Sequence, residues 1–449
     1  MADSPAASLE SLQKEPNVPT THPKAFFFFF WGEFAERCSY YGMRAILPIF
    51  LTTVIALPEK DANTYYAWFK AACYLLPLLG GFLADRYFGK YWTIVGFSIP
   101  YIIGQFLLGL NSTYMTYLAL VLLACGSGVI KPNISTLMGL TYDQQRPGRL
   151  ALRSAAFQWF YFSINVGALI SMAVLPELRD HWAKQAYMQR TGVATLPADF
   201  QPAKQCSKED FSAAYPPTFM FPAVLMILAL GAFAGGKKHY AVEKIGAGAP
   251  ASPEEKAEQR SVLLRLLGLF LIMTFYWVPY EHNDSLWVFF ARDHMNMTLN
   301  FFGASKTFAP DGLQWVNSLC VLLFIPFFNY FWPKVDPAGT RFPPTSKMLI
   351  GFVFTAAAAG MMAILGYMVG PETKVSAWWL VFAYVILTLG EVLIYGTGLE
   401  LAFTAAPANM KGFVTACFLT TNTLGNLVNS VWTRSFTTNL APDSSSGLP

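Results

Sequence analysis

The stretch WGEFAERCSYYGMRAIL, residues 31–47, decides how the rest of the chain is read. It follows five consecutive phenylalanines, Phe26 to Phe30, and its flanks are apolar enough for a membrane helix. Yet it carries Glu33, Glu36, Arg37 and Arg44. An ionised side chain at mid-bilayer costs roughly 2.5–3.5 kcal/mol even on the lenient insertion scale, so four of them persist only by pairing or by facing a wet cavity. Glu33 and Arg37 are one helical turn apart, as are Glu36 and Tyr40, and Arg37, Tyr41 and Arg44 continue the same stripe. Two acids beside one base leave a surplus, which suits a working site better than a structural ion pair.

The whole chain fits a membrane setting. Of its 449 residues 54% are hydrophobic and only 13% charged, too little charge to cover a soluble surface. Many apolar blocks approach or exceed the roughly 20 residues that cross a bilayer as helix. Candidate spans are 26–56, 63–84, 92–110, 114–140, 155–175 and 217–236, then 262–291, 313–332, 347–369, 377–404 and 408–432. The expected fold is therefore an all-α polytopic membrane protein of eleven spans. The polar segment 237–260, KKHYAVEKIGAGAPASPEEKAEQR, divides six spans from five. This gives a tail (1–24), a six-helix bundle (25–236), a linker (237–260), a second bundle (261–432) and a polar tail (433–449). Two half-bundles around a central cavity are the plan of a transporter that rocks about its binding site.

Orientation follows from lysine and arginine. Arg86 and Lys90, then Arg146, Arg149 and Arg153, then Lys237, Lys238 and Lys244, then Lys334, Arg341 and Lys347 fall in alternate loops, which are expected in the cytoplasm with the N-terminus. An odd number of spans puts the C-terminus outside. The first 24 residues lack an apolar core, so no cleaved signal peptide is expected. A net charge of only +4 gives no reason to expect nucleic acid as a partner. Five of the six cysteines lie in apolar spans and Cys206 stands alone in a loop, so ordinary packing is expected rather than disulfides.

Further charges lie deep in other spans. Lys131 sits in GSGVIKPNIS, followed by Pro132, which interrupts the helical ladder. A buried lysine needs an anion, either Glu36 or a substrate carboxylate. Glu281 and Asp284 are three residues apart in WVPYEHNDSLW and face one way, close enough for one to hold a proton. Asp284 has an alternative reading, as a solvated group at the outer mouth, and His282 reads as a packing residue rather than a relay. Glu391 is deep in LGEVLIYGTGLE and reads as functional; Glu400, near the inner end, reads as structural. The unmatched cations, Arg37 and Lys131, belong to the first half, and the second half supplies only acids. A cavity between such halves is cationic on one wall and anionic on the other, which matches a small zwitterion.

At these residues the chain resembles the proton-dependent oligopeptide transporter family of the major facilitator superfamily. The resemblance covers nearly the whole chain. It rests on Glu33-x-x-Glu36-Arg37 with YYG, on YLLPLLGGFLADRYFGK (74–90), KPNIS (131–135), FQWFYFSINVGAL (157–169), YEHNDSLWVFFA (280–291), LQWVNSL (313–319) and GEVLIYGTGLELAFTAAP (390–407). The resemblance implies a superfamily fold with twelve core helices, one more than the spans read here, and Phe418 where a tryptophan is frequent. It implies that Arg37 and Lys131 hold a peptide carboxylate, that Asn165, Asn317 and Glu391 hold the amino end and backbone, and that Tyr40, Tyr41 and Tyr74 line side-chain pockets. Glu33, Glu36 and Glu281 would couple proton movement.

The expected function is a monomeric, proton-coupled symporter of di- and tripeptides in the plasma (inner) membrane, driven by the proton gradient with no cofactor. The alternatives are a carrier of another small anion or zwitterion, such as nitrate or an amino acid, and a binding-only protein. A channel is a lesser alternative, which would show uncoupled current, whereas a symporter saturates and stops without a pH gradient. An enzyme is disfavoured because no H-E-x-x-H, no G-x-S-x-G and no clustered metal ligands occur.

Overall fold

The computed structural model describes residues 19–197, 200–243, 245, 252–301, 303–336, 341–369, 374–398, 401 and 411–440. Apolar sequence in lipid must satisfy its own backbone, and helices do so within one segment. Six long helices make the first half: α1 (Ala25–Thr53), α2 (Glu59–Leu83), α3 (Gly89–Leu108), α4 (Thr113–Gln145), α5 (Leu150–Thr191) and α6 (Lys208–Gly235). Five more follow: α7 (Pro253–Tyr280), α8 (Trp315–Val335), α9 (Pro344–Met368), α10 (Trp378–Glu391) and α11 (Lys411–Leu440). They coincide with the eleven blocks read from the sequence.

Among the described residues, seven helical stretches are long and apolar enough to cross a membrane, or eight if a bent pair within α7 counts as one. One of the seven, Glu59–Leu108, contains both α2 and α3. A wide turn at Ala84–Phe88 and Gly89, whose φ of +74° suits glycine, lead one into the other. The boundaries differ from the sequence reading in two places. The block at 262–291 is broken by a non-helical turn at Glu281–Ser285 before a short helix, Leu286–His294. The block at 377–404 loosens after Glu391 into one wide turn, Val392–Gly396. Such wide turns recur at functional sites. A two-stranded antiparallel hairpin, β2 (Thr298–Phe301) with β3 (Ala304–Thr307), was not anticipated. It follows β1 (Met295–Asn296), which pairs in parallel with β4 (Val375–Ser376).

Each half has its own apolar core. One centres on Phe29, Met43, Phe50, Tyr66, Leu123 and Tyr215, the other on Met273, Tyr276, Met362, Leu387 and Phe418. In the first half α1 packs on α5 and α6, and α4 on α2 and α3; in the second, α10 packs on α9 and α8, and α7 on α11. The halves meet chiefly where α2 touches α11 and α5 touches α8. Small residues permit the closest approaches. A Cβ at Gly126 of α4 would fall 2.4 Å from Tyr101 Cβ of α3, and one at Gly80 of α2 would fall 2.7 Å from Val129 Cα of α4.

The start of the linker is stitched beneath the first half. The Glu243 carboxylate accepts from the backbone N–H groups of Lys90 (2.6 Å) and Tyr91 (3.0 Å), capping α3 at its positive end. Gln144 exchanges two hydrogen bonds of 2.9 Å with the Val242 backbone, and Gln145 donates to the His239 carbonyl at 2.7 Å. Tyr240 packs between Phe29 and Phe233.

Candidate functional site

The charges of α1 solve their burial problem locally. Arg37 Nε lies 2.9 Å from Glu33 Oε1 and also meets Glu36. All three side chains are almost fully buried, and Arg37 stacks on Tyr40 at 5.6 Å. Arg37 is therefore matched, and like Tyr40 it is not among the residues lining the central cavity. Among the described residues, Glu33 Oε2 and Glu36 Oε1 accept no hydrogen bond, so each keeps a lone pair available for a proton.

A cavity of about 270 Å³ lies between the halves and collects most of the other candidates: Tyr41, Tyr74, Lys131, Asn165, Asn317 and Glu391. On the first-half wall, Lys131 is half-buried with its Nζ 4.7 Å from the centre of the Tyr74 ring. No ion pair to Lys131 occurs among the described residues. Its anion is thus not Glu36, and the ammonium faces the cavity. Helix α4 runs on through Pro132, and the next side chain, Asn133, donates to the Val129 carbonyl (2.8 Å) and, across to α2, to Gly80 (3.0 Å). On the opposite wall Asn317 donates to Glu391 (2.7 Å) and to Thr388 (2.9 Å). Asn165 donates to the Tyr161 carbonyl at 2.9 Å. Tyr161, Glu391 and Tyr395 also border a second cavity of about 550 Å³, which reaches Trp332 at the C-terminal end of α8 and Lys347 at the N-terminal end of α9. Phe418 is buried beside Tyr395, 6.0 Å between ring centres. Leu399, Glu400 and residues 402–407 of the tenth-span motif lie outside the described residues.

The acids at the end of α7 behave differently from the expectation. Glu281 and Asp284 were expected to perturb one another, with Asp284 alternatively solvated; both are buried and matched by cations of the first half. Lys70 of α2, itself fully buried, places Nζ 2.7 Å from Glu281 and 2.8 Å from Asp284, and donates to the Glu281 carbonyl at 3.1 Å. Arg44 of α1 binds the other Asp284 oxygen at 2.5 Å. Asn422 of α11 donates to Glu281 at 2.7 Å. Two cations meet two anions, so the cluster is neutral as a whole. Helix α7 stops one residue earlier, which lets both carboxylates turn inward. His282 lies on the same turn, half-buried, with Nε2 2.6 Å from Asn429 Oδ1.

This cluster is one of several ties between the halves. Arg179 of α5 clasps Asp180 and, across the interface, Asp311, with Arg179 and Asp311 at 1% and 0% exposure. Gln314 donates to the Ala45 carbonyl, Asn63 to Thr433, Trp68 to Ser430, and Arg292 meets Glu59 and Thr52. These ion pairs joining the halves lie toward the end where α1 finishes and α2 begins. The halves are latched there, and the two cavities that share Glu391 extend toward the other end.

Lys70, Arg179 and Asp311 were missed in the sequence. Lys70 left a usable signal, since it interrupts the apolar run TYYAWFKAACYLL just as Lys131 interrupts its own. Arg179 and Asp311 lie outside the apolar blocks, and their pairing spans 132 residues, which no local pattern reveals.

Comparison with known proteins agrees with this architecture. A family model described as "PTR2: POT family" matches residues 91–253 and 243–442. Peptide transporter family 1 of Caenorhabditis elegans is 29% identical over 418 residues, 79% of this chain and 45% of that protein. Solute carrier family 15 member 1 of Homo sapiens is 28% identical, covering 77% of this chain and 52% of its own length. The chain thus spans about half the length of these curated relatives. Dipeptide and tripeptide permease A of Chromobacterium violaceum is 27% identical over 95% of this chain and 87% of that one. The crystal structure of the POT family transporter PepTSo superposes with a TM-score of 0.76 at 25% identity, covering 95% of this chain and 92% of that one.

Proposed function

We infer that this chain, which belongs to the POT family, is a proton-coupled importer of di- and tripeptides that works by alternating access. The observation that carries the reading is the polarised cavity: on one wall Lys131, an ammonium without an ion pair among the described residues, and on the other Glu391 with Asn317. A peptide's carboxylate is drawn to Lys131 and its ammonium to Glu391, with Tyr41, Tyr74 and Asn165 around the backbone and side chains. Arg37, enclosed behind this wall, holds Glu33 and Glu36 and acts through them. The printed names of the relatives, peptide transporters and a dipeptide and tripeptide permease, favour the same substrate class.

Residues 25–236 and 261–432 act as two bodies, in a single copy, with the N-terminus in the cytoplasm of a plasma membrane. In that orientation the latched end faces outside and the cavities face inward. Opening the outside requires Lys70 and Arg44 to leave Glu281 and Asp284. A proton on Glu281 removes one of these attractions, so the outer-open form takes up protons. When Lys70 docks again it displaces the proton, which leaves toward the inner side with the peptide. The proton and the peptide drive the cycle only through different affinities for the two forms. Uptake of labelled dialanine into proteoliposomes, with and without an inward acid gradient, tests the reading. Accumulation above equilibrium only with the gradient is expected. Equal uptake without it, or none in either case, overturns it.

A further inference from the structure

We propose that His282 is a second proton-carrying group of this cycle, charged while the outer end is open and neutral once Lys70 docks beside it. The proposal rests on the transport reading above and adds a residue to its proton path. Of the five histidines, His22, His239 and His294 lie at helix ends and loops, His181 lies within α5 beyond its apolar block and beside Asp180, and His282 lies on the turn that carries Glu281 and Asp284. Its ring is half-buried, whereas Glu281, Asn283, Asp284 and Ser285 on the same turn are buried.

The hydrogen bonds fix its tautomer. Asn429 Oδ1 accepts from Thr433 Oγ1 at 3.1 Å and meets His282 Nε2 at 2.6 Å, so Nε2 carries the hydrogen and Nδ1 is left to take a proton. Thr433 in turn accepts from Asn63 Nδ2 at 3.0 Å, in the first turn of α2. A chain of polar side chains thus runs from the outer end of α2 and α11 to the imidazole. The charged groups that face the ring are Lys70 from α2 and Asp284 and Glu281 from its own turn; α11 presents the neutral Asn429.

The electrostatics give the direction. In the latched form two cations and two anions cancel, and an imidazolium would add a third cation beside Lys70. In the open form Lys70 and Arg44 depart with the first half. His282 then faces only the carboxylates of its own turn, which favour the charged ring. Imidazole is the side chain whose charge changes in the range where an outside acid gradient operates. The step is a plain proton transfer. Nδ1 takes a proton from outer water; on latching Glu281 first gives its own proton to the cavity, the Nδ1–H bond then breaks, and the second proton follows through the emptied Glu281 carboxylate. That carboxylate lines the cavity and releases the proton to inner water.

The experiment compares the full-length protein with H282Q, whose amide still reaches Asn429. The proton-to-peptide ratio is measured from the reversal potential for labelled dialanine in proteoliposomes. Counterflow exchange, which moves no net proton, reports intact folding. The expected result is normal counterflow with a ratio lower by about one proton per peptide in the variant. An unchanged ratio in H282Q, with coupling intact in the natural chain, overturns this proposal alone. A natural chain that moves dialanine with no proton overturns the transport reading and this proposal together. Should H282Q lose counterflow, H282N is measured in the same way. Loss of counterflow in both makes the ring structural and overturns the proposal.

Discussion

Lys70→Met is the perturbation whose effect is best defined by the structure. It keeps the length of the stem and removes the charge that balances Glu281 at 2.7 Å and Asp284 at 2.8 Å. Asp284 retains Arg44, whereas Glu281 retains only the amide of Asn422. Breaking a buried ion pair by removing one partner costs about 3–5 kcal/mol. The orphaned acid escapes part of that cost by taking a proton. With the outer end open the acid meets water and bears no such cost. The variant therefore shifts the population toward the outer-open form by a factor of roughly 100 or more at neutral pH, and by less in acid. Spin labels at Ala56 and Asn300, exposed near the outer ends of the two halves, read the change as a second, longer distance. A distribution identical to that of the natural chain at both pH values refutes the argument. So does a long-distance population whose excess over the natural chain grows as the pH falls.

Other consequences follow from the cavity and the interfaces. Lys131→Ala removes a charge-assisted contact worth about 1.5–3 kcal/mol, so dialanine affinity measured by calorimetry falls roughly 10- to 150-fold; unchanged affinity removes Lys131 from the carboxylate site. Glu391→Gln weakens uptake of free dipeptides more than of N-blocked ones, and equal loss for both refutes its role toward the ammonium. Arg179→Ala leaves Asp311 buried without its cation and lowers stability by about 3–5 kcal/mol, seen as a reduced Tm, with part recovered when Asp311→Asn is added. Gly80→Ala drives a methyl to 2.7 Å from Val129 Cα and costs about 1–3 kcal/mol by forcing α2 from α4; an unchanged Tm contradicts that packing.

How much of this was legible depended on whether a signal was local. The eleven apolar blocks became eleven long helices because hydrophobic length is written in consecutive residues. The Glu33, Glu36 and Arg37 group was legible because helical spacing alone brings its members together. The polarity of the cavity was legible in outline, since Lys131 and Glu391 are the exceptions within their own spans. What was not legible was partnership. Arg37 read as a free cation, yet its two nearest acids enclose it. Glu281 and Asp284 read as a carboxylate pair with a shared problem, and their cations arrive from α1 and α2, more than 200 residues away in sequence. The broken end of α7 also escaped notice, because the residues beyond it, LWVFFA, resume an apolar run.

The stitched segment beneath the first half has a mechanical consequence. With Val242 and Glu243 fastened to α4 and α3, the connection between the halves is not the whole polar stretch from Lys237 to Arg260. Counted from Ile245, α7 begins eight residues on, at Pro253. Eight peptide steps reach at most about 29 Å when fully drawn out. The fastened segment therefore acts as a short leash that sets an upper limit on how far the floor of the molecule can gape. Cutting Glu243 loose would lengthen the leash without touching any group that binds cargo.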